Sequence, residues 1–216
     1  MSIKILGIVG EICAGKTTVA KQLVYNYSLC NFFTGGIVYL EGDSEIRKMY
    51  TKDLGIIEKI KSVYPKCVQN NIVDTKILGE FFFASKQNQK IIENITHPAL
   101  KDEIIDFIDK NNAKNVLLIL DVPVLFKLSL DQFCNYIIFF SAQKEERINR
   151  GITRIRQKHT MTQNEAKKRF LDIDKIALKQ SDFNTDFIFV DTTNYDNNQE
   201  ITIEKTIEKI TTLFLQ

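Results

Sequence analysis

An eight-residue glycine loop near the amino terminus constrains the fold of this chain more than any other feature. The segment Gly10-Glu11-Ile12-Cys13-Ala14-Gly15-Lys16-Thr17 has the pattern G-x-x-x-x-G-K-[ST] of a phosphate-binding loop. The apolar residues 5–9 before it predict a buried strand, and residues 18–24 after it predict the start of a helix. Such a loop wraps around an anion, so that backbone N–H groups and the helix N-terminus point at the phosphates. An incidental glycine turn would not need this pattern together with these flanks, so the segment predicts that the chain binds a nucleoside triphosphate.

The residues of this loop have separate expected roles. We expect the charge of Lys16 to bind the outer phosphates and the hydroxyl of Thr17 to ligate Mg²⁺. Thr18 follows directly and is expected to contact the nucleotide with the rest of the loop. Cys13 is either a small packing residue or a thiol whose pKa is lowered by nearby N–H dipoles.

Composition excludes several classes of protein. The 216 residues carry 29 Lys and Arg against 27 Asp and Glu, a formal net charge of +2. This balance argues against a dedicated nucleic-acid binder or a polybasic membrane anchor. No apolar run approaches the roughly 18 residues of a membrane span, and the N-terminus leads straight into the first strand, so we expect no cleavable signal. The cysteines show no C-x-x-C spacing and are interpreted as free thiols, which predicts a cytoplasmic protein.

Apolar segments alternate along the chain with amphipathic stretches. Several of the apolar segments are continuous runs of Val, Ile, Leu and Phe, as is typical of parallel strands covered on both faces. The pattern predicts an α/β fold with a doubly wound, five-stranded parallel sheet. Ligands bind at the carboxyl ends of the strands in such sheets. The predicted strands are residues 5–9, 37–40, 116–121, 136–141 and 187–191.

We expect a single domain, residues 1–216, with two helical additions to its core of residues 1–43 and 96–216. Residues 44–95 contain no convincing strand and predict a helical lobe. Residues 144–179 predict a second helical stretch between the last two strands. His97-Pro98 is interpreted as a boundary, because a proline biases the preceding residue away from helical geometry. A lone histidine is more often a structural hydrogen-bonding group than a catalyst.

Carboxylates follow two of the predicted strands. Glu41 and Asp43 come just after the second strand, where one could orient or deprotonate an attacking hydroxyl. The alternative is a turn in which Asp43 or Ser44 is the N-cap of a helix. Asp121 ends an apolar strand, which is the position of the carboxylate that helps to hold Mg²⁺ in proteins with a phosphate-binding loop. Pro123 requires the chain to turn there.

The second helical stretch carries a basic cluster. Arg147, Arg150 and Arg154 are spaced three and four residues apart and would share one helix face, together with Arg156 and Lys158 nearby. One interpretation is a solvated face paired with neighbouring glutamates. The other is a lid whose arginines close over a triphosphate and stabilise the transferring phosphoryl group.

Several segments together resemble the dephospho-CoA kinase family, in the same order and at similar spacing. Glu41-Gly42-Asp43 stands where the family has Asp-Ala-Asp. Asp121-Val122-Pro123-Val124-Leu125-Phe126 is similar to the family's Asp-Val-Pro-Leu-Leu-Phe. The other matching segments are residues 73–79 in the lobe, 95–98 with the family's Ile-x-His-Pro, 154–162 in the lid, and 186–192 at the last strand and the loop beside the adenine.

The resemblance implies a fold of P-loop kinase type, with a helical acceptor-binding insertion and a helical lid at about residues 144–179. It implies ATP and Mg²⁺ as cofactors and transfer of a phosphoryl group to the ribose 3′-hydroxyl of dephospho-CoA. We expect a monomer or a weak homo-oligomer with these small-molecule partners and with neither nucleic acid nor membrane. The implied roles are catalysis for Asp43, Lys16 and Arg154, nucleotide binding for Arg150 and Asp191, acceptor binding for Glu41, Asp74, Lys76, His97 and Pro98, and Mg²⁺ binding for Thr17 and Asp121.

The chain departs from the family pattern mainly on the acceptor side. Thr75 replaces an Arg, with Lys76 as a candidate substitute, and Lys127 replaces a Glu. These departures leave room for another small-molecule kinase that acts on a nucleoside, a nucleotide or a shikimate-like acceptor. A nucleotide-dependent switch is a further alternative, although the chain has no Asn-Lys-x-Asp motif for reading guanine.

Overall fold

A five-stranded parallel sheet lies at the centre of the fold, as the sequence predicts. The computed structural model describes residues 2–158, 160–175, 177, 188–193 and 199–215. In chain order the strands are β1 (Lys4–Gly10), β2 (Ile37–Glu41), β3 (Val68–Gln69), β4 (Ile72–Val73), β5 (Leu117–Asp121), β6 (Tyr136–Ser141) and β7 (Ile188–Asp191). The sheet has the order β2-β5-β1-β6-β7, and each neighbouring pair in it is parallel.

Helices connect the strands and cover both faces of the sheet. In chain order they are α1 (Lys16–Val24), α2 (Tyr27–Phe32), α3 (Gly42–Lys52), α4 (Leu54–Val63), α5 (Thr75–Ala84), α6 (Lys86–Asn111), α7 (Lys144–Lys158), α8 (Gln163–Asp174) and α9 (Gln199–Leu215). None of the described helices is both long enough and apolar enough to cross a membrane.

The alternation of side chains along the strands divides the core in two. In β1, Leu6 and Ile8 join a hydrophobic cluster with residues of α1, α2 and α9. Ile5 and Val9 face the other way and join a cluster with residues of α3 to α6. All five residues of β5 are buried, because strands covered on both faces need apolar side chains on both. The doubly wound prediction is therefore confirmed.

The lobe contains one feature that the sequence analysis missed. β3 and β4 form a short antiparallel hairpin, although we expected no strand there. Asn70 and Asn71 connect the two strands with φ angles of 50° and 56°. Two successive left-handed residues are characteristic of a type I′ hairpin turn, for which Asn is well suited. The Asn-Asn pair was the available signal, but strands of two residues are too short to show alternation.

The expected boundary at His97-Pro98 is wrong. Both residues lie inside α6, a helix of 26 residues. Pro98 lacks the N–H that would bond to the carbonyl four residues earlier, which costs a helix about 3 kcal/mol. Burial of Ile92, Leu100 and Ile104 on one side of α6 offsets this cost by packing against the sheet.

The predicted lid contains two helices that pack closely. A Cβ atom on Gly151 of α7 would lie 2.1 Å from the ring of Phe170 in α8, so only glycine permits this approach. Thr162 and Glu165 form a reciprocal capping box at the start of α8. The end of the expected stretch, residues 178–179, lies outside the described residues, as does residue 187 at the start of the last predicted strand.

Candidate active site

The phosphate loop joins the central strand β1 to the N-terminus of α1. Gly10, Cys13 and Gly15 have φ angles of 140°, 59° and 81°. A Cβ atom on Gly10 would lie 2.1 Å from the carbonyl oxygen of Phe140 on β6, so this position requires glycine. Left-handed backbone at Cys13 and Gly15 turns N–H groups toward the inside of the loop, which makes a concavity for an anion.

Side chains donate hydrogen bonds to the carbonyl groups in the first part of this loop. Five consecutive carbonyls accept such a hydrogen bond, from Gly10 to Ala14. Lys16 Nζ donates to the first two, at 2.9 and 2.7 Å. The other donors are Arg147 to the carbonyl of Ile12 (3.4 Å), Arg150 to that of Cys13 (3.5 Å) and the Thr192 hydroxyl to that of Ala14 (2.9 Å).

Arg147 links the loop to both helices of the lid. Its side chain is buried, with a relative exposure of 5%. Its Nε donates to the carbonyl of Ala142 and lies 3.2 Å from the carboxylate of Glu11, and its guanidinium donates to Asp174 at the end of α8. Arg147 therefore supports the loop from inside the protein and is not at its open face.

The remaining cations of the basic cluster differ in accessibility. Arg150 is half-buried and also binds Glu146 and the carbonyl of Thr192. Arg154 and Arg156 are exposed, and the side chain of Lys158 lies outside the described part of the chain. Among the cations that lower the pKa of Cys13, Arg154 has the largest effect. Arg154 thus combines nearness to the loop with access to solvent.

Burial changes the protonation chemistry of two loop side chains. Burial lowers the pKa of Lys16 from its ordinary value, and the negative charge of Asp121 opposes this change. Burial raises the pKa of the Cys13 thiol, and this outweighs the opposing charges of Arg154 and Lys16. The expectation of a lowered thiol pKa is therefore wrong, and the packing interpretation of Cys13 is the better one.

The two residues that sequence analysis assigns to Mg²⁺ lie in direct contact. The Thr17 hydroxyl donates to Asp121 Oδ2 at 3.0 Å, across the boundary between α1 and β5. The hydroxyl of Tyr39, a residue the sequence analysis missed, donates to the same oxygen at 2.8 Å. Burial and the charge of Asp121 raise the pKa of Tyr39. We call Thr17, Tyr39 and Asp121 the carboxylate corner.

Glu41 lies beside the carboxylate corner on the edge of the same sheet. In the parallel register of β2 and β5, Glu41 is opposite Asp121. Side chains two residues apart in a strand share a face, so Glu41 and Tyr39 lie on the same side of β2. The N-cap of α3 is Glu41, without a side-chain cap, and Asp43 lies in the first turn. The interpretation of Asp43 or Ser44 as the N-cap is therefore wrong.

A cavity of about 290 Å³ lies between the ends of β2 and β5 and the helices α3, α5 and α6. Asp43 and His97 both line it. Burial and the negative charge of Asp43 together raise the pKa of Tyr50 to about 12. Most of the wall is apolar. The residues that line the cavity include Asp43, Tyr50, Thr75, Phe82, Glu93 and His97.

An ion pair lies beside His97 at this cavity. Lys127 Nζ is 2.6 Å from Glu93 Oε2, which connects the turn after β5 to α6. Burial lowers the pKa of His97, Glu93 opposes this change, and the charge of Lys127 adds to it. Lys127, noted above as a departure from the family pattern, therefore has a defined partner in this chain.

Four of the other predicted site residues do not line the cavity, as far as the described residues show. Asp74 is the N-cap of α5 and accepts hydrogen bonds from the backbone N–H groups of the next turn. Lys76 in that turn and Pro98 in α6 are exposed, and Asp191 at the end of β7 accepts from the backbone N–H of Thr193.

We expect Thr192→Val to destabilise the protein. Thr192 is fully buried, and its hydroxyl contacts the carbonyls of Ala14 and Ser141 as well as Arg150. Valine keeps the shape but leaves these groups without the hydroxyl, so the free energy of unfolding should fall by about 1–3 kcal/mol in urea titrations. The matched control is Thr153→Val on the exposed side of α7, with an expected change within about 0.5 kcal/mol. Equal stabilities of the two variants would contradict the role of Thr192.

We also expect His97 to titrate below the ordinary histidine pKa of 6.5. Lys127→Gln should move this pKa upward, because it removes the charge that lowers the pKa and leaves the carboxylate of Glu93 unpaired. NMR titration of the imidazole Cε1–H signals measures both values, and His159→Gln assigns the signals of the two histidines. Lys110→Gln, at an exposed ion pair on the same helix, is the control. An unchanged His97 pKa in Lys127→Gln would refute the effect of the Lys127 charge on this histidine.

Comparisons with known proteins identify the family to which this chain is similar. The model of the family described as dephospho-CoA kinase matches residues 4–181. A dephospho-CoA kinase from Fusobacterium nucleatum is 30% identical over 156 residues, which cover 71% of this chain and 75% of that protein.

Solved structures show the same fold. The crystal structure of TT1252 from Thermus thermophilus has a TM-score of 0.68 and 19% identity, with 97% of each chain covered. A dephospho-CoA kinase from Campylobacter jejuni has a TM-score of 0.56 and 20% identity, with 96% of this chain and 97% of that chain covered. Because the family model spans most of its length, this chain belongs to the dephospho-CoA kinase family.

Proposed function

We propose that this protein transfers the γ-phosphoryl group of ATP to the ribose 3′-hydroxyl of dephospho-CoA, which yields coenzyme A and ADP. One observation carries the proposal beyond family membership. The phosphate loop and the cavity that contains Asp43 open at the same carboxyl-terminal edge of the sheet, on the two sides of β5. An enzyme that transfers phosphate between two molecules needs a donor site and an acceptor site close to each other.

The donor side is built on the loop. Its N–H groups and the N-terminus of α1 suit the β- and γ-phosphates of ATP. Lys16 lies in the loop with its Nζ on the carbonyls of Gly10 and Glu11, so it needs only a side-chain movement to reach a bound phosphate. Arg150 is proposed to act at the nucleotide through the loop that it supports, and Asp191 beside the adenine.

The carboxylate corner fits Mg²⁺, which prefers oxygen ligands and usually binds through one or two protein groups and the phosphates of the substrate. Thr17 and Asp121 supply a hydroxyl and a carboxylate at hydrogen-bond distance from each other. When bound, the ion would neutralise charge on the β- and γ-phosphate oxygens. The residues themselves orient one another and keep a buried negative charge beside the loop.

The acceptor side is the cavity. Asp43 is exposed on the first turn of α3 and faces this space, where its carboxylate can accept the proton of the 3′-hydroxyl or orient that group. His97 lines the same wall as a half-buried imidazole and is proposed as a polar contact to the acceptor. Glu41, Asp74, Lys76 and Pro98 are not among the described residues that line the cavity and stay predicted acceptor contacts.

The lid supplies positive charge. Arg154 is exposed on α7, yet its charge acts on both Cys13 and Lys16. Its side chain is therefore proposed to offset the negative charge shared among the phosphoryl oxygens during transfer. Closure of the lid over the loop would also exclude water, which otherwise competes as a phosphoryl acceptor.

That the protein is a monomer or a weak homo-oligomer in the cytoplasm stays a prediction.

Product analysis tests this function directly. With ATP and Mg²⁺, we expect dephospho-CoA to stimulate ADP release, and mass spectrometry should identify coenzyme A as the second product. Lys16→Ala should lower this rate by at least about 10²-fold, because it removes a charge that stabilises the transferring group. AMP, GMP, CMP and shikimate serve as comparison acceptors. Faster turnover of any of them would redirect the proposal to another small-molecule kinase.

Asp43→Asn should lower kcat without a comparable loss of ATP affinity. Loss of a positioned acid or base typically lowers a rate by about 10²–10⁴-fold, whereas the nucleotide binds on the other side of β5. Steady-state kinetics and calorimetric titration of ATP measure the two effects. Asp106→Asn, at an exposed ion pair on α6, is the matched control and should retain normal turnover. Normal turnover of Asp43→Asn would show that the base lies elsewhere.

A further inference from the structure

We propose that Tyr39 is a positioning residue for Mg²⁺ binding, which acts by fixing the carboxylate of Asp121 against the Thr17 hydroxyl. The inference rests on the proposed function, because that function assigns Thr17 and Asp121 to the metal. It adds Tyr39, a residue of β2 that is neither part of the phosphate loop nor among the described residues that line the cavity.

Two hydroxyl groups from different elements converge on one oxygen atom. Asp121 Oδ2 accepts from Thr17 of α1 at 3.0 Å and from Tyr39 of β2 at 2.8 Å. Asp121 is buried, with a relative exposure of 4%. A carboxylate has about four lone-pair positions, so these two bonds fix its orientation while Oδ1 remains able to accept further bonds.

The chemistry of a hydroxyl group explains why this orientation matters. A threonine hydroxyl has one proton and two lone pairs. When the Thr17 hydroxyl donates its hydrogen bond to Asp121, its lone pairs stay available for a cation. The position of the carboxylate then sets the direction of those lone pairs. If Thr17 were its only partner, the carboxylate could rotate, and the direction of the Thr17 O–H bond would change with it. The second bond, from Tyr39, prevents this rotation.

The strand geometry makes Tyr39 suitable for this task. Its ring packs against the hydrophobic cluster on the α1 side of the sheet, and its hydroxyl reaches the neighbouring strand end. An aromatic ring has only two rotatable side-chain bonds, so a packed tyrosine presents its hydroxyl at a defined point. Phenylalanine would keep this packing and remove only the hydroxyl, which makes Tyr39→Phe a specific test.

We would measure ADP affinity by calorimetry with Mg²⁺ and with EDTA, with no acceptor present. For Tyr39→Phe we expect the gain in affinity that Mg²⁺ gives to shrink by about three- to tenfold, which corresponds to about 0.7–1.4 kcal/mol. Affinity in EDTA should stay within about twofold of the wild type. The kinetic counterpart is a higher Mg²⁺ concentration for half-maximal turnover.

Tyr136→Phe is the matched control. Tyr136 is also a strand tyrosine, and its hydroxyl donates to a backbone carbonyl of α9 at 2.9 Å, away from the carboxylate corner. This variant should keep the wild-type dependence on Mg²⁺. A Tyr39→Phe protein that loses stability but keeps the wild-type Mg²⁺ effect would show that Tyr39 is only structural, and would overturn the proposal.

Asp121→Asn and the double variant complete the experiment. Asp121→Asn should itself reduce the Mg²⁺ effect, and Tyr39→Phe should then add nothing, because Tyr39 acts through Asp121. Additive losses would contradict this route. A wild-type Mg²⁺ effect in Asp121→Asn would refute the metal assignment and the tyrosine proposal together. Because no acceptor is present, a failure to phosphorylate dephospho-CoA would leave this test valid.

Discussion

The rest of the site depends on the hydrogen bonds that side chains donate to the carbonyl groups of the phosphate loop. Side chains engage the carbonyls of five successive residues, and the donors come from α1, α7 and the segment after β7. These contacts fix the peptide groups of the loop in place before an anion arrives, although the N–H groups of Glu11 and Ala14 are themselves bonded to the carbonyls of Phe140 and Glu11. Preorganised donors of this kind stabilise charge without rearranging at the moment of reaction.

The same contacts couple the loop to the lid. Arg147 and Arg150 lie on α7, so the helix that presents the exposed Arg154 is also the helix that supports the loop. Asp174 connects α8 to this arrangement through Arg147. Breaking a buried ion pair by removing one partner costs about 3–5 kcal/mol. The part of α7 that carries Arg147 and Arg150 is therefore fixed to the phosphate loop.

Local patterns predicted the sheet and gave candidate residues for the donor half of the site, whereas contacts between distant residues could not be predicted. The strands were predictable because strands buried on both faces are continuously apolar. Thr17 and Asp121 were candidates because a motif and a strand end identify them, and the structure brings them into contact. Tyr39 is 82 residues from Asp121, and Thr192 is 178 residues from Ala14. No local pattern encodes those pairings. The predicted boundary at Pro98 was wrong because the burial of α6 against the sheet overrides the local preference of proline for a helix end.

On the acceptor side, the structure gives a physical account of one departure from the family pattern. Lys127 lies 2.6 Å from Glu93, a carboxylate that lines the cavity. In the proposed acceptor site, an unpaired carboxylate at this wall would repel dephospho-CoA, which is an anion, and the charge of Lys127 offsets that repulsion. The pair also lies beside His97, where the charge of Lys127 favours the neutral imidazole. A neutral imidazole can donate through one nitrogen and accept through the other, which suits it to a hydroxyl-bearing acceptor better than a second fixed cation would be.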